Sequence, residues 1–302
     1  MQSTGTLVGS PDTAIGLAGS AVARSGGGAA AIGPFQQSWS RPLDAACGRV
    51  EVWFVPAGVH GLLAQDAKIL NPEDWSAIAR VRDEAARNHL RATRIVLRRA
   101  LSHAVGGAVK PAAWRFRSTS YGKPQVAAGL PEVQFCISHI DTMSVIAVSR
   151  DGPVGVDIET VASPGSDKLI ESFCSPKERR ALSQLDEPAR ARAFARLWTL
   201  KEAYAKLTGT GLAADFRFLE FGAGPELHTA GCQTQHVPGG ASFQSWLTEA
   251  PGGLCQVTVA VGDTDAVAER GELVCFAVAG SRTDASRTLN PGQGEQADLR
   301  LS

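Results

Sequence analysis

The stretch Phe194-Ala-Arg-Leu-Trp-Thr-Leu-Lys-Glu-Ala-Tyr-Ala-Lys206 is the part of this 302-residue chain around which the rest is organised. It predicts a helix, because it contains no Pro or Gly and is dominated by strong helix formers. Gly209 then provides a stop signal. Leu197 and Tyr204 belong to an apolar stripe at helical spacing, and Lys201 interrupts that stripe. A charge at such a position is expensive unless it has a partner.

A second stretch, Gly155-Val-Asp-Ile-Glu159, predicts a strand with two carboxylates on one face. Successive strand residues alternate, so Asp157 and Glu159 point the same way while Val156 and Ile158 point into a core. With Glu202 from the helix they would form an all-oxygen site of the kind that Mg²⁺ prefers, with room for substrate phosphates.

Four blocks in order carry a resemblance to a known family. They are Tyr121-Gly-Lys-Pro124, Phe135-Cys-Ile-Ser-His139, Gly155-Val-Asp-Ile-Glu159 and Trp198-Thr-Leu-Lys-Glu-Ala-Tyr-Ala-Lys206. Together they resemble the motifs of the 4'-phosphopantetheinyl transferase superfamily over about residues 48 to 279. The length resembles that of the monomeric, surfactin-synthetase-activating type, so a monomer is expected.

The resemblance implies an enzyme that moves the 4'-phosphopantetheine group of coenzyme A onto a serine of an apo carrier protein and releases 3',5'-ADP. The carriers would be acyl or peptidyl carrier domains of fatty-acid, polyketide or nonribosomal peptide synthases. It implies Mg²⁺ held by Asp157, Glu159 and Glu202, with Glu202 or a metal-bound water taking the serine proton. Lys206 would stabilise the departing phosphate. Residues implied to contact coenzyme A are Lys123, Ser138, His139, Arg87, Arg94 and Lys201, the last of which could instead anchor a carboxylate.

Four arginines lie at helical spacing within the predicted helix from Asp83 to Ala104, and this pattern has two interpretations. The residues are Arg87, Arg91, Arg94 and Arg98, spaced 4, 3 and 4. They form either a solvated face or a phosphate-binding edge suited to coenzyme A. In the resembling family, basic residues of this helix lie near the 3'-phosphate, and His89 or Arg87 would match its arginine.

Composition narrows the class of protein. A formal net charge of zero gives no reason to expect capture by nucleic acid or membrane. No stretch approaches the ~18 apolar residues of a membrane span. Six cysteines occur without a Cys-x-x-Cys pair, which favours a reducing, cytoplasmic setting over disulfides or zinc.

The order of predicted elements indicates an α+β fold. Residues 1–47 and 280–302 are rich in small and polar residues and are expected to be a disordered leader and tail. Between them we expect an N-terminal α+β half, 48–150, and a C-terminal α+β half, 151–279. The apolar runs 143–149 and 154–158 flank an Asp-Gly pair and predict a hairpin. The family resemblance further implies a pseudo-dimer of two similar halves with the active site at their junction.

Other interpretations stay open at this point. Taken singly, Glu202 and Lys206 form an ordinary surface pair at i, i+4 spacing. A non-catalytic relative that binds coenzyme A or a carrier would share the motifs. A Mg²⁺-dependent nucleotide hydrolase is a further alternative, although the chain has no P-loop.

Overall fold

The computed structural model describes residues 35–42, 48–119, 122–161, 166–211, 215–222, 233–237, 240–262 and 271–278. The helices are α1 (Pro72–Ala79), α2 (Glu84–Ala104), α3 (Asp167–Phe173), α4 (Pro176–Leu182) and α5 (Glu187–Thr208). The strands are β1 (Phe35–Pro42), β2 (Arg49–Pro56), β3 (Phe116–Ser118), β4 (Pro124–Val126), β5 (Gln134–Ile140), β6 (Met143–Ser149), β7 (Val154–Thr160), β8 (Gln233–Val237), β9 (Ala241–Ala250), β10 (Gly253–Gly262) and β11 (Glu272–Val278). Short 3₁₀ helices cover Ala57–Ile69, Pro111–Ala113 and Phe216–Phe218. The fold is therefore a mixture of helices and sheets, as the sequence predicts.

Helix ends follow the local chemistry of the sequence. Asn71 and Ser175 each cap a helix in a reciprocal capping box, with Pro at the first helical position. Asp186 caps α5, which begins seven residues before Phe194 and includes the whole predicted helix. It ends at Gly209, whose φ of 73° is the left-handed conformation that glycine adopts without strain.

The first sheet has five strands in the order β1-β11-β2-β6-β5. Its strands are antiparallel except that β11 runs parallel to β2. Helix α2 packs on one face and buries Leu97 and Leu101 with Trp53 and Ile146 of the sheet. This layer is held by ordinary apolar burial.

Two boundaries expected from the sequence are wrong. Residues 35–42 fall inside the expected leader, yet they form β1 and pair with β11. Strand β11 falls inside the expected C-terminal half, yet it lies between β1 and β2 of the first sheet. Each of these strands is paired through its backbone, and such pairing leaves little trace in one strand's own sequence. The rest of the expected leader and the expected tail lie outside the described residues.

The second sheet has the order β7-β10-β9-β8, with all neighbours antiparallel. The two sheets face each other across a shared core that includes Val52 and Val145 of the first and Val156, Ile158 and Val257 of the second. The predicted hairpin of β6 and β7 is wrong, because β6 pairs with β2 and β5 while β7 pairs with β10. The Asp-Gly turn instead carries the chain from one sheet to the other.

Helix α5 packs on the opposite face of β7 and β10. Since Val156 and Ile158 face the shared core, Asp157 between them faces the helix. Within the described residues, no helix combines the length and the apolarity needed to cross a membrane.

Candidate active site

Strand β7 and helix α5 approach each other at Gly155. A Cβ atom on this residue would lie 2.1 Å from the Ala203 carbonyl oxygen and 2.7 Å from the Leu207 nitrogen. No other amino acid fits between these two backbones without moving one of them. The glycine thus allows the carboxylates of the strand to reach side chains of the helix.

The centre of the site is the buried carboxylate of Asp157, which is 2% exposed. Lys206 Nζ donates to Asp157 Oδ1 at 2.5 Å, and Ser138 Oγ donates to the same oxygen at 2.7 Å. Lys206 Nζ also lies 3.0 Å from Ser138 Oγ. Strands β5 and β7 and helix α5 therefore meet at this one charged group.

Glu159 and Glu202 lie close enough to Asp157 for its negative charge to raise their pKa values. Burial raises the pKa of Glu159 to about 7, and the carboxylates of Asp157 and Glu202 add to that shift. Burial and Asp157 likewise raise the pKa of Glu202. Burial also raises the pKa of Asp157, against the pull of Lys206. In turn the pKa of Lys206, which burial alone would lower, is raised mainly by Asp157.

The donor set fits a hard divalent cation. Asp157 Oδ2 is buried and has no hydrogen-bond partner, and three repelling carboxylates face a single ammonium group. Oxygen ligands of this kind suit Mg²⁺. In the part of the chain that the structure describes, however, no group of three or more His, Cys, Asp or Glu side chains is drawn together around one point. The three predicted ligands share an electrostatic environment without forming a closed coordination shell.

Two predicted coenzyme A contacts, Lys123 and His139, lie beside this centre. His139 is exposed on β5, directly after Ser138. Lys123 Nζ donates to the carbonyl oxygens of Lys206, at 2.5 Å, and of Leu207, at 3.2 Å. It therefore caps the last turn of α5, and burial lowers the pKa of its ammonium group. Tyr121 of the same predicted motif lies outside the described residues.

The arginine row on α2 is less uniform than the sequence predicts. Arg98 is fully buried, donates to Asp74 and holds the carbonyls of Pro111 and Trp114. It is therefore a structural residue and belongs to neither the solvated face nor a phosphate edge. Arg87 donates to the Val81 carbonyl.

The other predicted arginine, Arg94, is partly exposed and lies 3.9 Å from Asp74. His89 is buried on the same helix, with Nε2 3.2 Å from the Val55 carbonyl oxygen and 2.9 Å from Ser144 Oγ. Burial lowers the pKa of this imidazole. A neutral, enclosed His89 is not an exposed substitute for an arginine.

The prediction that Lys201 contacts coenzyme A is wrong. Its side chain is 0% exposed, and Nζ donates to Glu178 Oε2 at 2.6 Å and to the carbonyls of Phe216, at 2.9 Å, and Phe173, at 3.0 Å. All three ammonium protons are taken by protein acceptors, so the alternative that Lys201 anchors a carboxylate is correct. That carboxylate belongs to Glu178.

Two residues near the site have no motif of their own in the sequence reading. Phe173 stacks on Trp198 with ring centroids 4.2 Å apart and an angle of 13° between the planes. The Trp198 indole also hydrogen-bonds Glu159 and opposes the rise of its pKa. Glu178 could be recognised from sequence only as the cap of α4; its pairing with Lys201 spans 23 residues.

Comparison with known proteins relates the sequence around these residues to a family. The family model of the 4'-phosphopantetheinyl transferase superfamily matches residues 153–249, which contain Asp157, Glu159, Glu202 and Lys206. A 4'-phosphopantetheinyl transferase, HetI, of Nostoc sp. is 31% identical over 169 residues, covering 54% of this chain and 70% of that protein.

Two further relatives match over shorter shares of their length. An L-aminoadipate-semialdehyde dehydrogenase-phosphopantetheinyl transferase of Eremothecium gossypii is 35% identical, covering 51% of this chain and 56% of that protein. A 4'-phosphopantetheinyl transferase of Bacillus subtilis is 35% identical, covering 39% of this chain and 51% of that protein. The chain thus spans just over half of each of these two relatives. Taken with the match to HetI, these similarities show that the chain belongs to the 4'-phosphopantetheinyl transferase superfamily.

Proposed function

We propose that this protein transfers the 4'-phosphopantetheine group from coenzyme A to a serine of an apo carrier protein and releases 3',5'-ADP. The observation that supports the proposal is the contact of Lys206 with Asp157 where β7 packs on α5, with Glu159 and Glu202 close enough for their charges to interact with it. Phosphoryl transfer needs groups that position a diphosphate and neutralise its charge. Lys206 offers a positive charge, and the carboxylates could contribute by holding a divalent cation. Membership of the family supplies the reaction.

Asp157, Glu159 and Glu202 would hold Mg²⁺. The bound cation would neutralise the coenzyme A diphosphate and polarise the phosphoryl oxygens. The unpartnered Oδ2 of Asp157 and the mutual repulsion of the carboxylates support this assignment.

Two residues of α5 would handle the proton of the serine and the negative charge of the leaving group. The carrier serine oxygen forms a bond to the pantetheine-side phosphorus, and the bond from that phosphorus to the 3',5'-ADP oxygen breaks. Glu202 would accept the serine proton as a general base. Lys206 stays protonated through its contact with Asp157 and stabilises the negative charge of the departing phosphate.

Coenzyme A would be bound near the end of β5, where Ser138 and His139 lie on opposite faces of the strand. His139 is exposed next to the Ser138–Asp157 hydrogen bond and would contact a phosphate of coenzyme A. Lys123, which now donates to two carbonyls of α5, adds positive charge at the same edge. Arg87 and Arg94 on α2 are the remaining candidates for the 3'-phosphate.

The partner is a carrier domain of a fatty-acid, polyketide or nonribosomal peptide synthase, and the described part of the segment 164–180 is its proposed docking surface. We further propose that the chain works as a cytoplasmic monomer. The two sheets, each with a long helix packed against it, would correspond to the two halves of a pseudo-dimer, with the site at their junction, where β5 meets β7.

The test is to mix the purified protein with coenzyme A, Mg²⁺ and a panel of apo carrier domains and to weigh the carriers intact. Transfer adds about 340 Da, the mass of the phosphopantetheinyl group that this reaction moves. A hydrolase would split coenzyme A without any carrier. No mass gain on any carrier would refute the proposed activity and leave a binding role.

A further inference from the structure

The pair of Lys201 and Glu178 forms a buried charged junction behind the candidate active site. Neither side chain is more than 1% exposed. Lys201 belongs to α5, and its three acceptors come from the end of α3, from α4 and from the 3₁₀ helix Phe216–Phe218. A single ammonium group thus fastens three other segments of the chain to the helix that carries Glu202.

Glu178 extends the junction with its remaining lone pairs. Its Oε2 also accepts from the Ser175 backbone N–H at 2.8 Å, and its Oε1 accepts from the Phe221 backbone N–H at 3.1 Å. The carboxylate therefore closes the cap of α4 and holds the chain after residue 218. Every polar atom of the pair that these contacts describe is satisfied, which a buried charge requires.

A short chain of contacts leads from this junction to a predicted metal ligand. Phe173, whose carbonyl accepts from Lys201, also places its ring 5.4 Å from the ammonium group. The same ring stacks on Trp198, and the Trp198 indole hydrogen-bonds the Glu159 carboxyl. The position of Glu159 therefore depends on Trp198. The position of Trp198 depends in turn on the Phe173 ring, which contacts Lys201.

We propose that Lys201 and Glu178 are positioning residues for the transfer reaction. They fix Phe173 against Trp198, and Trp198 then orients Glu159 toward Asp157 and Glu202. This inference rests on the proposed function for its effect on catalysis, while the positioning of Trp198 can be measured without it. Neither residue touches the reacting atoms.

Stability alone is a weak reason for such a pair. The free energy needed to remove two such charges from water often exceeds the free energy gained from their attraction. Proteins in which both partners are replaced by apolar residues are therefore frequently as stable. Removing only one partner is strongly destabilising because it leaves a buried unpaired charge. A purely structural role and a positioning role therefore differ in a double variant that contains no buried charge.

The decisive variant is Glu178→Gln with Lys201→Met. The glutamine retains an oxygen that can accept from the Ser175 N–H, and the methionine fills the lysine's space. Protein labelled with 5-fluorotryptophan gives one ¹⁹F resonance for each of its six tryptophans, and Trp198→Phe identifies that of Trp198. We expect the Trp198 resonance to shift or broaden in the double variant, even without coenzyme A or metal.

The same variant should lose roughly 10- to 100-fold in kcat with an unchanged KM for coenzyme A, as is usual when a residue behind a metal ligand is replaced. The control is Glu51→Gln with His103→Gln, which removes another, partly buried pair, 2.8 Å apart, between β2 and α2. His103 packs edge-on against Trp53, so the control should move the Trp53 resonance, leave that of Trp198 in place and retain kcat.

An unmoved Trp198 resonance in the folded double variant would overturn the proposal, whatever happens to kcat. A moved resonance with wild-type kcat would also overturn it. If the double variant does not fold, Glu178→Asp is read by the same two measurements, because it keeps the counter-charge of Lys201 and only shortens its reach. If the wild-type protein modifies no carrier, the proposed function fails, and the resonance still decides the positioning role.

Discussion

Replacing Gly155 with alanine should disturb the site more than any other one-carbon change near it. The added Cβ would lie 2.1 Å from the Ala203 carbonyl oxygen, whereas real Cβ atoms essentially never come closer than 3.0 Å. Strand and helix must therefore separate by about 0.9 Å. Both obstructing atoms belong to the backbone of α5, so no side-chain rotation relieves the clash.

The size of the effect follows from this displacement. Overpacking of a closed core costs about 1–3 kcal/mol of the free energy of unfolding. A shift of about 1 Å in catalytic geometry costs about 100-fold in rate. We expect Gly155→Ala to lower kcat by one to two orders of magnitude, because the shift lengthens the contact between Asp157 and Lys206. Urea unfolding and intact-mass assays of carrier loading measure the two effects.

Gly58→Ala is the matched control. Gly58 is exposed, its backbone is not left-handed, and nothing lies within 4 Å of where its Cβ would stand. Its stability and kcat should equal those of the wild type. Should Gly155→Ala behave like Gly58→Ala in both assays, the close approach of β7 and α5 could not be what organises the site.

Three further predictions follow from the charges of the site. Because burial and Asp157 raise the pKa of Glu159 to about 7 from 4.5, the folded state binds this proton more tightly than the unfolded chain. The metal-free protein should therefore lose stability as the pH rises from about 4.5 to about 7; urea unfolding in EDTA measures this, and Glu159→Gln should make the slope shallower, with Asp157 and Glu202 supplying the remainder. Lys206→Met should abolish transfer and cost about 2–3 kcal/mol, since it leaves Asp157 buried with Ser138 as its remaining side-chain partner; Asp157→Asn added to it should restore stability in thermal melts but not activity, and recovered activity would exclude Lys206 from the reaction. His139→Ala should raise the KM for coenzyme A more than it lowers kcat, and an unchanged KM in steady-state assays would place His139 outside the binding site.

Local signals in the sequence predict much of this fold. The glycine stop at Gly209 is confirmed, and the capping boxes at Asn71 and Ser175 are built from residues three positions apart. These features depend on neighbouring residues alone, which is why a single sequence contains them. The faces of β7 are also confirmed, with Val156 and Ile158 in the core.

Long-range pairing is where sequence reasoning fails. An Asp-Gly pair between two apolar runs usually marks a hairpin, yet here it joins strands of different sheets. Whether β6 pairs with β7 or with β2 is decided by which edges are free after the whole sheet forms. The insertion of β11 beside β2 depends on the same competition and has no local signature.

In the candidate site, too, local features are predictable from the sequence and long-range contacts are not. The carboxylates and Lys206 follow from strand and helix periodicity. In the structure Lys206 donates to Asp157, and Glu159 and Glu202 lie within electrostatic reach of that pair without closing around one point. That Lys201 needs a buried partner is also predictable from its place in an apolar stripe. Its partner, Glu178, is not predictable, because the contact joins two helices whose packing no periodicity describes. Arg98 shows the same limit. Its spacing makes it one of the row of arginines on α2, yet the structure buries its guanidinium completely beside Asp74.

Carrier loading by the wild type and by Asp157→Asn, each in EDTA and after addition of Mg²⁺, would decide whether Asp157 and a divalent cation take part in transfer. We expect only the wild type with Mg²⁺ to add about 340 Da to the carrier, because transfer needs the carboxylates intact and their charge balanced. The variant should melt close to the wild type, since asparagine keeps an acceptor for Ser138 and Lys206. Equal loading by both proteins would show that Asp157 is not needed for transfer, and equal loading in EDTA would show that Mg²⁺ is not needed.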